Sequence, residues 1–324
     1  MSPLRSTSGH RFRMACLFSL VGGAIALSAM TDGMAATQEV PLVYRQIGGT
    51  RPYVRVKLNG TPLLLMVHGN AGFSVMTTHA NARKAGITAM TPEGQYGISQ
   101  PGKVSPLGRA SAVAKTFQVG GRTDHDLKIA IFEIPQTSPN DGMIGLPWLR
   151  QSKALIDFNR NRLVLPENEA EVQAAHVRLQ KAGYIAHPMT WDDKDARYVV
   201  LPTINGVSGR FVVSTVADIS IDAPFAQRAA VALGTAGQEY GGPTGTTGQT
   251  RRTQGPFAIV LDGQALHSVE AGVYDLYAYD GTTRPSDATL KNGYLGCDFM
   301  RANHAVIDFG AGILFLKPGP IIEH

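Results

Sequence analysis

The stretch at 54–76, VRVKLNGTPLLLMVHGNAGFSVM, decides the fold because its cadence returns at 199–221 as VVLPTINGVSGRFVVSTVADISI. Each copy reads as an alternating strand, an Asn-Gly turn, a second apolar strand and a turn of small residues. Asn-Gly supplies the positive φ angles that a tight hairpin needs. A second pair repeats further on. DGMIGLPWLRQSKALIDFNRNRLVL at 141–165 aligns with NGYLGCDFMRANHAVIDFGAGILFL at 292–316. Asn59 and Asn205 lie 146 residues apart, whereas Gly145 with Gly296 and Asp157 with Asp308 each give 151, so the units differ by a few residues in their middle loops. One layout written twice predicts two similar lobes with the function between them.

Length and composition point the same way. At 324 residues the chain exceeds the size at which a single core stops growing. With 36 Gly, 19 Pro and only 17% charged residues, it favours strands joined by tight turns, an all-β fold with short helices. The helices are expected at 77–87 and 146–151 and within 167–183. The expected layout is a β-lobe over 37–165, a partly helical connector over 166–195 and a second β-lobe over 196–324.

The N-terminus reads as a targeting segment. Arg11 and Arg13 precede the apolar run MACLFSLVGGAIALSAM, and Gly33, Ala35 and Ala36 suit signal-peptidase cleavage, so 1–36 is expected to be a signal peptide. An uncleaved anchor is the alternative. The mature body is expected to be exported, periplasmic or secreted, with no stable membrane insertion. Removing 1–36 takes away Arg5, Arg11, Arg13 and Asp32, which lowers the net charge from +5 to +3. No basic run dense enough for nucleic acid remains. Cys297 is then alone and reads as a buried structural thiol.

With strand, small-residue turn, Ile/Val strand and a late apolar-apolar-Gly element in order, twice, the chain resembles the aspartic protease superfamily, in particular bacterial retropepsin-like and pepsin-like members with two lobes in one chain. The resemblance rests on DGMIGLPWL with LIDF and on NGYLGCDFM with VIDF, and covers roughly 40–165 and 196–318. It implies a pseudo-two-fold fold and an Asp-Thr-Gly-Ala-Ser turn in each lobe. The family's two carboxylates share a proton, because like charges so close cannot both ionise.

Both carboxylates are missing. Matched to the family's turns, His68, Gly69 and Asn70 replace Asp-Thr-Gly in the first copy, and Ser214, Thr215 and Val216 replace it in the second. Loss of the glycine at Asn70 and Val216 predicts an altered backbone turn, which Asn tolerates better than Val. Asp218 lies four residues past Ser214, but 50–91 offers no acid to face it. Asp157 and Asp308 match structural positions of the family. Facing each other, His68 and Ser214 could begin an acyl-transfer site only with an orienting acid and oxyanion donors, for which Asp218 is the first candidate. His68, with an unperturbed pKa near 6.5, is expected to charge in mild acid.

The remaining features are modest. Tyr96 and Gly97 read as the tip of a first flap, and Tyr240 lies in the Gly/Thr-rich interval 234–256. The nine His residues show no metal-binding spacing, and His125 between Asp124 and Asp126 reads as a polar turn, so neither metal nor cofactor is expected. The expectation is a non-catalytic, protease-like protein that holds a peptide, protein segment or other extended ligand between its lobes. The alternatives are an active hydrolase with realigned residues and a structural envelope protein.

Overall fold

In the computed structural model, the residues described are 37–46, 49–95, 98–100, 103–133, 140–242, 245–286 and 289–317. The expected signal segment, 1–36, falls outside them, as do Tyr96 and Gly97. Among the described residues no helix is long and apolar enough to cross a membrane.

The two Asn-Gly turns form as the sequence requires. Asn59 and Gly60 take φ of 46° and 81°, and Asn205 and Gly206 take 47° and 81°. Thr50–Leu58 therefore folds back on Thr61–His68 as a tight hairpin, with Tyr53 opposite Met66 and Leu58 opposite Thr61. In the second copy the hairpin is interrupted. Pro202, which cannot donate to a ladder, separates Arg197–Val200 from Thr203–Ile204, and the latter pairs into a small four-stranded sheet.

Each copy then builds an eight-stranded sheet with the same central crossing. In the first, Gly142–Gly145 runs parallel to Thr61–His68 and antiparallel to Val75–Thr77. In the second, Gly293–Leu295 runs parallel to Phe211–Val213 and antiparallel to Ile219–Asp222. Small residues are needed where these late strands end. A Cβ on Gly145 would stand 1.8 Å from the Phe73 carbonyl oxygen, and one on Gly296 would stand 2.2 Å from that of Asp218. The repeated late glycine lets each small-residue turn close on its own sheet.

A third, six-stranded sheet belongs to both copies. Leu155–Asp157 pairs antiparallel with Val306–Asp308, and Ile156 faces Ile307 at the centre of the register. These two residues carry the 151-residue offset, so the approximate two-fold axis passes between them. The sheet and one continuous apolar core hold the described body as one compact unit, its halves sharing buried Ile156, Ile307, Phe309 and Leu149. Burial of this kind is worth about 1.5–3 kcal/mol for each large apolar side chain.

The interval 166–195 holds one helix and two strands. The helix Glu169–Lys181, capped by Asn168, is followed by Ile185–Pro188 in the shared sheet and by Thr190–Asp192 at the edge of the second half's sheet. His176 fastens the helix to the shared sheet through a 2.7 Å bond from its ring to buried Asp308. Asp124–Asp126 is not a turn. It lies inside the strand Arg122–Phe132, where Asp126 takes φ of 50° while the register with Arg109–Val119 runs unshifted from one side of it to the other.

Candidate functional site

The small-residue turns of the two copies meet at the junction of the halves. Thr215 is completely buried there, and its hydroxyl donates to the Val67 carbonyl at 2.6 Å while accepting the Gly69 N–H at 2.8 Å. Gly69 has no room for a side chain, since a Cβ would stand 2.7 Å from Thr215 Cγ2 and 2.8 Å from Phe309 Cζ. One side chain thus satisfies two backbone groups of the opposite copy, and packing excludes a reciprocal arrangement.

Beside this lock, the Ser214 hydroxyl donates to Asn70 Oδ1 at 2.8 Å. Asn70, two residues past His68, is thus the residue of the first turn that meets Ser214. His68 Nδ1 lies 3.4 Å from Met143 Sδ. Burial, and then the nearby charges of Arg51 and Arg197, push the His68 pKa down to about 3, against an opposing contribution from Asn70. This runs against the expected protonation of His68 in mild acid: partial burial and two nearby guanidinium groups hold the ring below its ordinary range.

The backbone change falls one residue later than expected. Neither Asn70 nor Val216 has positive φ; Ala217 does, at 60°. Its N–H donates to the Thr50 carbonyl at 2.9 Å, and the Asp298 N–H donates to its carbonyl at 3.1 Å. Gly49, at φ 92°, packs directly over it. The backbone at Gly49 and Thr50 thereby reaches across to the second copy.

Asp218 does not join the centre. It pairs with Arg252, which also binds Glu270 at 2.7 Å. His79 likewise turns away from His68, bonding Glu133 at 3.2 Å. Among the described residues no group of three His, Cys, Asp or Glu side chains is placed to hold a metal ion. Cys297 is fully buried, and its thiol pKa is raised by that burial. That is the setting of an inert thiol.

Around the centre the halves present unlike faces. On the first, Tyr53, Met66, Met76, Phe132 and Met143 form a buried apolar cluster, with Phe73 and Val216 packed against it. On the second, Tyr294 lies beside Val212 and Ser220 in register. Tyr240 belongs to a three-tyrosine group with Tyr274 and Tyr279, ring centroids 5.3–5.6 Å apart. Its hydroxyl covers Gly248 in the facing strand Thr247–Thr253. All four tyrosines are half-buried.

Sequence reasoning placed the two turns and missed their surroundings. Arg51, Arg197 and Tyr294 enter from other strands, and only Tyr294 had a signal, as the residue of NGYLG matched to Met143 of DGMIG.

No family model matches the chain, and comparison with curated proteins finds no match. Among solved structures the chain is similar to an aspartic proteinase from Irpex lacteus, at 12% identity and a TM-score of 0.49, over 88% of this chain and 98% of that one. It is similar to Basic 7S globulin from soybean at 12% identity and a TM-score of 0.42, over 87% and 94%. It is also similar to a retropepsin-like aspartic protease from Rickettsia conorii at 19% identity and a TM-score of 0.29, over 40% and 90%.

Proposed function

We propose that this chain is an exported, aspartic-protease-like protein that holds an extended ligand, a peptide or protein segment, between its halves without hydrolysing it. The observation that carries this reading is the Ser214–Asn70 bond. Acid-pair hydrolysis needs two carboxylates sharing a proton at the places where His68 and Ser214 stand. A serine nucleophile needs a base on its hydroxyl, and here the hydroxyl donates to an amide oxygen, which does not accept a proton at ordinary pH. His68, the nearby base, contacts a thioether, and among the described residues no carboxylate bonds it.

Binding asks less of the centre than catalysis does. Half-buried tyrosines offer apolar area and a hydroxyl together. The strands Leu233–Gly241 and Thr247–Thr253 end one side of the second half's sheet. The hairpin strand Ile98–Gln100 of the first half comes against Leu233–Gly241, so one strand from each copy meets beside the tyrosines. An extended backbone can pair along such an edge. The test is hydrogen–deuterium exchange of the purified protein with and without a proteome-derived peptide pool. Slower exchange over 211–221 and 233–253 supports the reading; an unchanged pattern at saturating peptide contradicts it.

A further inference from the structure

Tyr294 has an unusual set of partners. Lys291 Nζ donates to its hydroxyl oxygen at 2.7 Å, and Arg197 Nη1 donates at 3.1 Å. A phenol oxygen has two acceptor positions and one proton. With both positions filled by cationic donors, the hydroxyl can only donate, and among the described residues no acceptor is bonded to it. Arg197 is short of acceptors as well. Its Nε is buried and, among the described residues, has no hydrogen-bond partner.

The local charges leave this demand unmet. Lys291, itself buried, is balanced by Asp280 at 2.8 Å. The acid directly across the strand pair from Arg197 is Asp192, but Asp192 is taken by Arg210 at 2.7 Å. Among the described residues no carboxylate oxygen lies within ion-pair distance of the Arg197 guanidinium; Asp195 and Asp280 act on it from farther away. Two donors, an N–H of Arg197 and the O–H of Tyr294 polarised by two cations, are thus left side by side. Arg197 is close enough to His68 to oppose its protonation.

We propose that Arg197 and Tyr294 form a carboxylate subsite, which receives an Asp or Glu side chain or the free C-terminus of the ligand held between the halves. This rests on the binding reading above and names its ligand class. A planar anion with two oxygens matches one guanidinium N–H and one phenol O–H, each a charge-assisted bond. The half-buried Tyr240, Tyr274 and Tyr279 supply apolar contact for the neighbouring residues.

The test uses one proteome-derived peptide pool in four forms: untreated, amidated at side-chain carboxylates, amidated at C-termini, and amidated at both. Retention on the immobilised protein is measured by mass spectrometry for wild type, Tyr294→Phe and Arg197→Met, with thermal unfolding of each variant as the folding control. Peptides keeping the recognised carboxylate should be retained about tenfold more strongly than their fully amidated forms, and the singly amidated pools identify which carboxylate is read. Both variants should lose that preference. If one variant misfolds, the other decides. Retention with no carboxylate preference, or a preference that survives in a folded variant, overturns the subsite and leaves the binding reading standing. Retention of no peptide in any form overturns the binding reading, and the subsite with it.

Discussion

The Ser214 hydroxyl donates to Asn70 Oδ1 at 2.8 Å, which ties the small-residue turn of one copy to that of the other. The bond is partly shielded from water, with Ser214 only 2% exposed. Ser214→Ala and Asn70→Ala should each lower unfolding free energy by about 1–2 kcal/mol. Because both remove the same bond, the double variant should cost less than the sum of the two. Denaturant unfolding of the four proteins measures the coupling; strictly additive losses would show that the bond joins nothing.

Thr215 should matter more. Replacing its hydroxyl by a methyl in Thr215→Val strands the Gly69 N–H and the Val67 carbonyl in a dry site, at a cost of about 2–4 kcal/mol. Thr215→Ser keeps the oxygen and should recover most of that loss. Gly69→Ala, pressed against Thr215 and Phe309, should be destabilising by about 1–3 kcal/mol. Chemical denaturation separates these cases, and equal stability of the Val and Ser variants would exclude the proposed role of the hydroxyl.

The two Asn-Gly turns make a matched prediction. Asn59 donates to the Ala85 carbonyl at 3.1 Å and accepts the Thr116 N–H at 3.0 Å, while Asn205 donates to Ala229 at 2.9 Å and accepts from Ala258 at 2.9 Å. Each also holds a left-handed turn angle. Asn59→Ala and Asn205→Ala should therefore lower stability by similar amounts, about 2–3 kcal/mol each. Losses that differ severalfold would mean that the two turns do not bear equal weight.

Much of the fold could be read from this chain because its signals are local. Asn59-Gly60 and Asn205-Gly206 dictate hairpins through their own φ preferences, and Gly145 and Gly296 mark close approaches that admit no Cβ. The site was less legible because its contacts join distant strands. That Asn70, and not His68, meets Ser214 depends on how two turns interlock, and that Arg197 reaches Tyr294 depends on the pairing Val199–Val212–Tyr294 through three strands. The shift of positive φ to Ala217 came from a neighbour 167 residues earlier, Thr50, whose carbonyl takes the Ala217 N–H. Periodicity carries no trace of such partners.

His68 should make the protein acid-sensitive. Its native pKa is depressed to about 3, below the unfolded value near 6.5, so as pH falls through 6.5 the unfolded chain binds a proton that the native chain does not. Stability from this residue is therefore full above about pH 6.5 and lost progressively down to about pH 3. Between pH 6.5 and 5 the loss should be about 1–2 kcal/mol, and His68→Gln should remove that part of the slope. Urea unfolding across this range provides the check; an identical pH slope in the variant would show that His68 protonates freely in the native state.

The most direct measurement is incubation of the purified protein with a diverse peptide mixture from about pH 3 to 8, with mass spectrometry of both bound and free peptides and with His68→Ala and Ser214→Ala as controls. The account predicts that peptides are retained intact at every pH where the protein stays folded. Reproducible cleavage by the wild type that either substitution abolishes would contradict it.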